Sequence, residues 1–489
     1  MKSIRAGLVA ALALAVVPAW SATNDELETQ IKALATQVQQ LKAEAAKHDA
    51  ADDPTHNRFS WLSIGGDLRV RHDVLRAHSV NYVQFDPNPP GPPIFTPVAA
   101  DSVGNNSLFT VQSSLSLKAR VAEGVVLKTK LAMNKVYGMA EGGSFTGRYF
   151  ADRFNSGDVF DGTVGKVPGD SSVVIEQAYA DWSNIGGQPI WLSAGRRPST
   201  GGVPTNLRKN DDHEGVSGVN GLLVDYVFDG FSFGYAPDIA ALPGFATKLC
   251  YGRAFSKGFQ STQAADPLKN TDMLGVVLIP LENDSTRVDI QFQHAFDLMD
   301  TIPGPNVSAN LGDMEEIAAG AVHTMGALRV FGYGALSRSF PNGKTNLFGG
   351  GLLYNAGAGQ APTSKQGWAV YTGLRYDIEK TGTKIGAEYN VGSKHWLTFT
   401  PAADDVWTSK LGTRGNVYEA YIIQDVNRHA VAPKGKMFFR LGWQYYDFKW
   451  TNSNNWVGGT QPVNNLSLPE FFTPLDKAVD VYTTFEVHF

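Results

Sequence analysis

The chain has 489 residues, a formal charge of −5, 11% aromatic and only 18% charged residues, 51 glycines and a single cysteine, Cys250. The acidic balance speaks against a nucleic-acid binder, and a lone cysteine makes neither an internal disulfide nor a Cys-x-x-Cys-His haem attachment. After the amino terminus no apolar run is long enough for a membrane-spanning helix, whereas many aromatics and glycines with modest charge suit strands with one face in lipid and one in water.

Residues 1–22 read as a secretory signal for Sec export: a basic Met1-Lys2-Ser3-Ile4-Arg5, an apolar Ala6–Pro18, and small residues in Ala19-Trp20-Ser21-Ala22, with cleavage after Ser21 or Ala22. The alternative is an uncleaved anchor, which would be short for a spanning helix. No cysteine follows closely enough for lipoprotein processing. Residues 23–57 read as a periplasmic helix and linker. Leu27, Ile31, Leu34, Val38, Leu41 and Ala45 follow an a/d heptad spacing. That spacing predicts either a coiled coil that joins a homotrimer or one amphipathic helix at a barrel mouth. Asp52-Asp53-Pro54 falls in the linker.

From Trp61 onward the period changes to two. Leu62, Ile64, Gly66, Leu68, Val70 and Val74 share one face, interrupted by His72, while Asp67, Arg69, Arg71 and Asp73 lie on the other. The pattern recurs at residues 107–121 and 127–134, then at 172–182, 189–197 and 219–228. A region over 231–255 is broken at Pro237–Gly244. Further repeats occupy 271–281, 286–298, 314–324, 327–339, 367–379, 383–391, 416–426, 436–448 and 478–489. Counting the broken region once gives about sixteen strands, an even number as in bacterial outer-membrane barrels. Short connections such as 122–124, 282–285 and 380–382 alternate with long ones such as 76–106, 138–171, 198–218, 392–415 and 449–477. Short periplasmic turns and long external loops explain that asymmetry. The expected fold is all-β: a transmembrane antiparallel barrel over 58–489, with the short coiled-coil-like α-helix before it.

The final strand puts Phe485, Val487 and Phe489 on one face, against Tyr482, Thr484, Glu486 and His488 on the other. A chain ending on an aromatic after alternating apolar positions resembles the signal that barrel-assembly machinery reads. Phe489 would stand in the periplasmic aromatic girdle. Trp61, Trp182, Trp191, Trp368, Tyr389 and Trp443 fall near strand ends, as girdle or as core aromatics.

The candidate pore-lining residues are Asp67, Arg69, Arg71, Asp73, Lys118, Arg120, Lys128, Lys130, Arg375, Asp377 and Arg440. They form either a basic strip that favours anions or a solvated wall of neutralising pairs, such as Arg375 with Asp377. Residues 198–218 form the third long loop, a candidate constriction carrying Arg208, Lys209, Asp211, Asp212 and Glu214, with Arg197 at its edge. The other reading is a loop that caps the barrel from outside. No H-E-x-x-H, G-x-S-x-G or phosphate-loop pattern is present, so neither catalysis nor a cofactor or metal is expected.

Ile64 to Arg71 and above all Gly195 to Arg208, with Gly221 to Tyr226 and Lys248 to Arg253, carry a family resemblance. The chain resembles a group of outer-membrane proteins from anaerobic and metal-reducing bacteria that is known only as a domain of unknown function. The proline- and glycine-rich loop is the specific part of the likeness. The resemblance implies a porin-like barrel without an established substrate. Some relatives accompany multihaem cytochromes, which implies an alternative role as the sheath of a porin–cytochrome electron conduit. The expected function is therefore passive diffusion of small hydrophilic solutes or ions. The expected partners are outer-membrane lipids and lipopolysaccharide, the assembly machinery, and a periplasmic or cytochrome partner in the alternative case.

Overall fold

The computed structural model describes residues 60–86, 91–138, 166, 168–199, 202–211, 220–259, 267–300, 308–400, 405–426 and 435–489. The signal and the heptad helix lie outside them. Leu62–Phe489 forms one unit.

Strand β1 spans Leu62–Ser79, followed by a short hairpin of β2 (Tyr82–Asp86) and β3 (Ile94–Val98). Then come β4 (Ser102–Ala122), β5 (Val125–Val136), β6 (Val174–Ser183), β7 (Ile190–Ser199), β8 (Tyr226–Tyr235) and β9 (Ala246–Phe255). Next are β10 (Thr271–Glu282), β11 (Thr286–Met299), β12 (Asn310–Met325) and β13 (Leu328–Pro341). A second small hairpin pairs β14 (Gly350–Gly351) with β15 (Tyr354–Asn355). The last strands are β16 (Gln366–Ile378), β17 (Thr383–Gly392), β18 (Gly415–Asp425), β19 (Lys436–Phe448) and β20 (Leu475–His488). Leaving aside the two hairpins, sixteen strands close into one antiparallel barrel by pairing β1 with β20, Val70 opposite Phe485.

Closure leaves the barrel without an open edge strand, so its strands pair with a neighbour on both sides, interrupted by bulges such as that between Asp73 and Leu75. Alternation does the rest. Leu68, Phe292, Leu374, Ile422, Leu441 and Val481 are exposed on the outer face, while Arg71, Asp73, Gln291, Arg375, Glu419, Arg440 and Asp480 are buried on the inner one. Trp182, Trp368 and Trp443 stand on the outer face, and Tyr389 stacks against Tyr418. Trp191 instead packs inside, where a Cβ on Gly234 would meet its ring at 2.1 Å.

One part of the expected strand order needs correction. Within the expected strand 219–228 only Tyr226–Phe228 is strand, the start of β8, and 231–255 is not one broken strand. Strand β8 runs uninterrupted through Asp229-Gly230, and Pro237–Gly244 belongs to the turn between β8 and β9. The dipeptide reads as a turn signal, yet Gly230 is needed for close packing: a Cβ there would lie 2.0 Å from the Tyr251 carbonyl oxygen on β9. The apolar residues Leu222, Leu223 and Val224 precede the strand and are buried in an inward loop. The carboxyl end closes tightly too. The Phe489 N–H donates to Gly66 O at 3.0 Å and Gly66 N–H to Phe489 O at 3.1 Å. A Cβ on Gly66 would fall 2.8 Å from the Phe489 ring, so glycine leaves room for that ring.

Candidate functional site

The connection between β7 and β8 folds into the barrel. A helical turn in it, α1 (Thr205–Arg208), is buried along its whole length. Thr205 Oγ1 donates to Gly202 O at 2.7 Å and Gly221 N–H to Val203 O at 3.0 Å, which ties the descending and ascending arms together. Val203, Leu207, Leu222, Leu223 and Val224 form the loop's own apolar core. On one side the loop rests on β11, with Asn220 N–H donating to Gln291 Oε1 at 2.9 Å and Asn220 Nδ2 to Asp289 Oδ1 at 3.2 Å.

Its tip reaches the opposite wall. Arg208 Nη1 donates to Asp405 Oδ1 at 2.8 Å and to Glu419 Oε2 on β18 at 3.1 Å. The order of strands around the ring sets β18 across the barrel from β7 and β8. Wall cations hold the loop backbone there: Arg375 Nη1 donates to Leu207 O at 2.8 Å, and Arg440 Nη1 to Arg208 O at 2.7 Å. Lys384 Nζ bonds the Asn210 side chain, Asn210 Nδ2 donates to Asp425 Oδ1 at 3.1 Å, and Lys436 pairs with Asp211 at 3.3 Å. The helical turn's last carbonyls carry partial negative charge and are met by guanidinium groups, as the peptide dipole favours.

A second loop, between β17 and β18, also turns inward, which the sequence reading did not anticipate. Trp396, Leu397 and Phe399 are buried against the first loop. Asp225 N–H donates to Phe399 O at 2.9 Å, and Phe399 N–H to Leu223 O at 3.0 Å. Lys410 pairs with Glu388 and, at 2.5 Å, with Glu419. Tyr371 donates to Glu388 at 2.6 Å and Tyr482 to Glu419 at 2.6 Å, so the two carboxylates are satisfied from several sides. Arg414 is fully buried and donates to Trp396 O and Asn455 O, each at 2.9 Å. Burial away from water pushes its guanidinium down to about 9.

The candidate pore-lining residues share the inner face but divide into two groups. Arg71 pairs with Asp73 at 2.7 Å and Asp480 at 2.9 Å and lies over the Tyr482 ring. Arg375 pairs with Asp377 at 2.7 Å, and Arg440 with Glu486 at 3.0 Å. Arg69 is buried as well. On β5, two strands round the ring from β1, Lys128 pairs with Asp181 at 2.6 Å, with 22% and 28% of the side-chain surface still exposed, and Lys130 pairs with Glu176 at 3.1 Å. Asp67 accepts from Ser114 Oγ, and Lys118 and Arg120 are exposed at the β4–β5 turn. Among the constriction candidates, Arg208, Lys209 and Asp211 lie in the inward loop. Arg197 does not: it belongs to the wall strand β7, where it donates to Ser193 at 2.7 Å and Ser232 at 2.5 Å. Asp212 and Glu214 are outside the described residues. Phe485 and Val487 share the outer face with Phe489, and Phe485 packs on Phe439 at 5.1 Å between ring centroids.

The fold and site define a closed sixteen-stranded barrel with an apolar exterior, a charged interior and a lumen crossed by its own chain. Residues 102–489 match the family described as "Protein of unknown function (DUF3373)", and the chain belongs to that family. No curated protein matches the sequence. Among solved structures, the anion-selective porin from Comamonas acidovorans is similar at 10% identity, covering 88% of this chain and 99% of that one with a TM-score of 0.42. OmpT of Vibrio cholerae, folded in vitro and in its trimer form, has 11% identity, covers 88% and 99% of the two chains and gives 0.40. OmpF of Salmonella typhi in complex with daunomycin has 11% identity, covers 87% and 97% and gives 0.43.

Proposed function

We propose that this protein is a porin-type channel of the bacterial outer membrane, exported by way of its amino-terminal signal, through which small hydrophilic solutes or ions diffuse down their gradients. The observation that carries the reading is the inversion of the usual globular pattern. Large apolar side chains stand outside around the ring, and ionisable ones stand inside. Such a surface suits hydrocarbon, and such an interior suits water. The loop fastened by Arg208 narrows the lumen. The wall of β16–β20 and β1 is filled by the chain's own loops, whereas the wall of β4–β6 keeps Lys128, Lys130 and Asp181 partly exposed. Solutes pass along that second wall, beside paired charges of both signs. Phe485, Val487 and Phe489 serve as the assembly signal, and the outer face meets lipid and lipopolysaccharide, with a trimer as the expected assembly.

The competing role, a sheath around a cytochrome, has less support, because residues 202–211, 220–225, 393–400 and 405–414 fold into the lumen it needs. Conductance of the purified full-length chain in planar bilayers tests the proposal. Steady openings support it; a silent barrel that copurifies with a haem protein overturns it.

A further inference from the structure

Three long connections meet around an open cavity of about 310 Å³. They are the β2–β3 hairpin, the segment around β14 and β15, and residues 449–474 between β19 and β20. The cavity is built by backbone pairing rather than by loose contact. Phe85 N–H donates to Glu470 O at 2.9 Å and Glu470 N–H to Val83 O at 2.8 Å, which adds the last connection to the hairpin as a parallel bridge. Leu353 N–H donates to Trp456 O at 2.9 Å and Gly458 N–H to Gly351 O at 2.8 Å, which joins the other two. A site framed this way exists before any ligand arrives, so little ordering is left to oppose binding.

Its walls are phenylalanine. Phe85, Phe95, Phe348, Phe471 and Phe472 line it. Phe85 lies 5.7 Å from Phe95 and 6.2 Å from Phe348, the latter edge-on, and Phe471 and Phe472 are T-shaped at 4.9 Å. Phe95 and Phe471 are 56% and 39% exposed, an arrangement of large apolar rings that water disfavours unless something covers them. The polar part of the lining is amide: Asn346, Asn355 and Asn452 among others. No described lining residue is cationic. The one acid among the described lining residues, Glu470, is buried and accepts from Gln461 at 2.6 Å, and burial pushes its carboxyl up to about 7.

We propose that this cavity is a binding site for a small, neutral aromatic compound with hydrogen-bonding substituents. Phenyl walls favour a flat ring through edge-to-face and offset stacking. Amides donate to and accept from hydroxyl or carbonyl substituents at its edge. The absence of a lining cation gives no counter-charge to an anion. The volume is about twice that of a cavity that holds benzene, enough for one ring and its substituents.

The test needs no membrane potential, so its outcome is independent of whether the barrel conducts. The full-length chain in lipid nanodiscs is titrated with catechol, benzoate, trans-1,2-cyclohexanediol and D-glucose by calorimetry and saturation-transfer NMR, with empty nanodiscs as the partition control. Catechol is expected to bind saturably, cyclohexanediol and benzoate about tenfold more weakly, and Phe348→Ala to weaken catechol by about tenfold. Phe471→Ala, at an exposed ring, is the second variant if Phe348→Ala fails to assemble. Absence of saturable catechol binding overturns the proposal. Tighter binding of glucose or benzoate, equal binding of cyclohexanediol, or unchanged affinity in the assembled variants also overturns it.

Discussion

Replacing Arg208 with Ala removes the cationic side chain that links the tip of the β7–β8 loop to the Asp405 and Glu419 carboxylates on the far side. Its guanidinium is 7% exposed and faces Asp405 and Glu419, 6% and 1% exposed. Taking one partner from a buried ion pair costs ~3–5 kcal/mol, because the remaining charge stays desolvated. Here the carboxylates keep other donors. Glu419 retains Lys410 and Tyr482, and Asp405 retains Gln444 at 2.8 Å and the Lys410 N–H at 3.0 Å. The loss should therefore sit near the lower end, about 3 kcal/mol, or about a hundredfold in the equilibrium between docked and undocked tip. The backbone bonds from Arg375 and Arg440 do not depend on the Arg208 side chain, so the barrel itself should persist. Single-channel recording of Arg208→Ala should show larger conductance with frequent transitions between levels, while the heat-modifiable mobility of the folded barrel stays as in the parent. Unchanged conductance with a quiet baseline in a folded variant would refute the idea that this loop narrows the passage.

Lys128→Gln with Lys130→Gln leaves Asp181 and Glu176 without their partners, so the reversal potential in a salt gradient should move toward cation preference; no movement would mean that this wall does not meet the permeating ions. Arg71→Met leaves Asp73 and Asp480 buried together and should destabilise the barrel by ~3–5 kcal/mol, read as a lower temperature for loss of heat-modifiable mobility. Glu470 titrates at about 7 in the folded chain because of burial, above its ordinary value. A raised acid favours the fold most fully below its unfolded pKa and loses that contribution as pH rises through about 7. The pairing of residues 82–86 with 470 should accordingly show lower amide protection, after correction for the base-catalysed intrinsic rate, at pH 8 than at pH 5, and Glu470→Gln should flatten that difference. An equal pH response in that variant would assign the effect to another group.

The wall was legible in the sequence for a definite reason. A strand with lipid on one side and water on the other shows a clean period of two, so Leu62 to Val74 and Tyr482 to Phe489 could be assigned by face before any pairing was known. The lumen was not legible in the same way. Leu222, Leu223 and Val224 look like part of a strand because they are apolar, yet their burial comes from Phe399 and Trp456, far along the chain. Trp396 to Phe399 carried a similar signal, an apolar run inside a long polar connection, whose meaning depends on what fills the barrel. The third long loop drew attention by its place in the order of connections, which left an inward loop and an outer cap equally open. Its far partners, Asp405, Lys410 and Glu419, follow no local spacing rule, since they meet only when the ring closes.

The central claim is that water and ions cross this barrel. Purified full-length chain reconstituted in planar bilayers at neutral pH measures that directly. The account predicts stepwise, steady openings whose size increases in Arg208→Ala. Folded protein that inserts but carries no current, in the parent and in the variant alike, would contradict it.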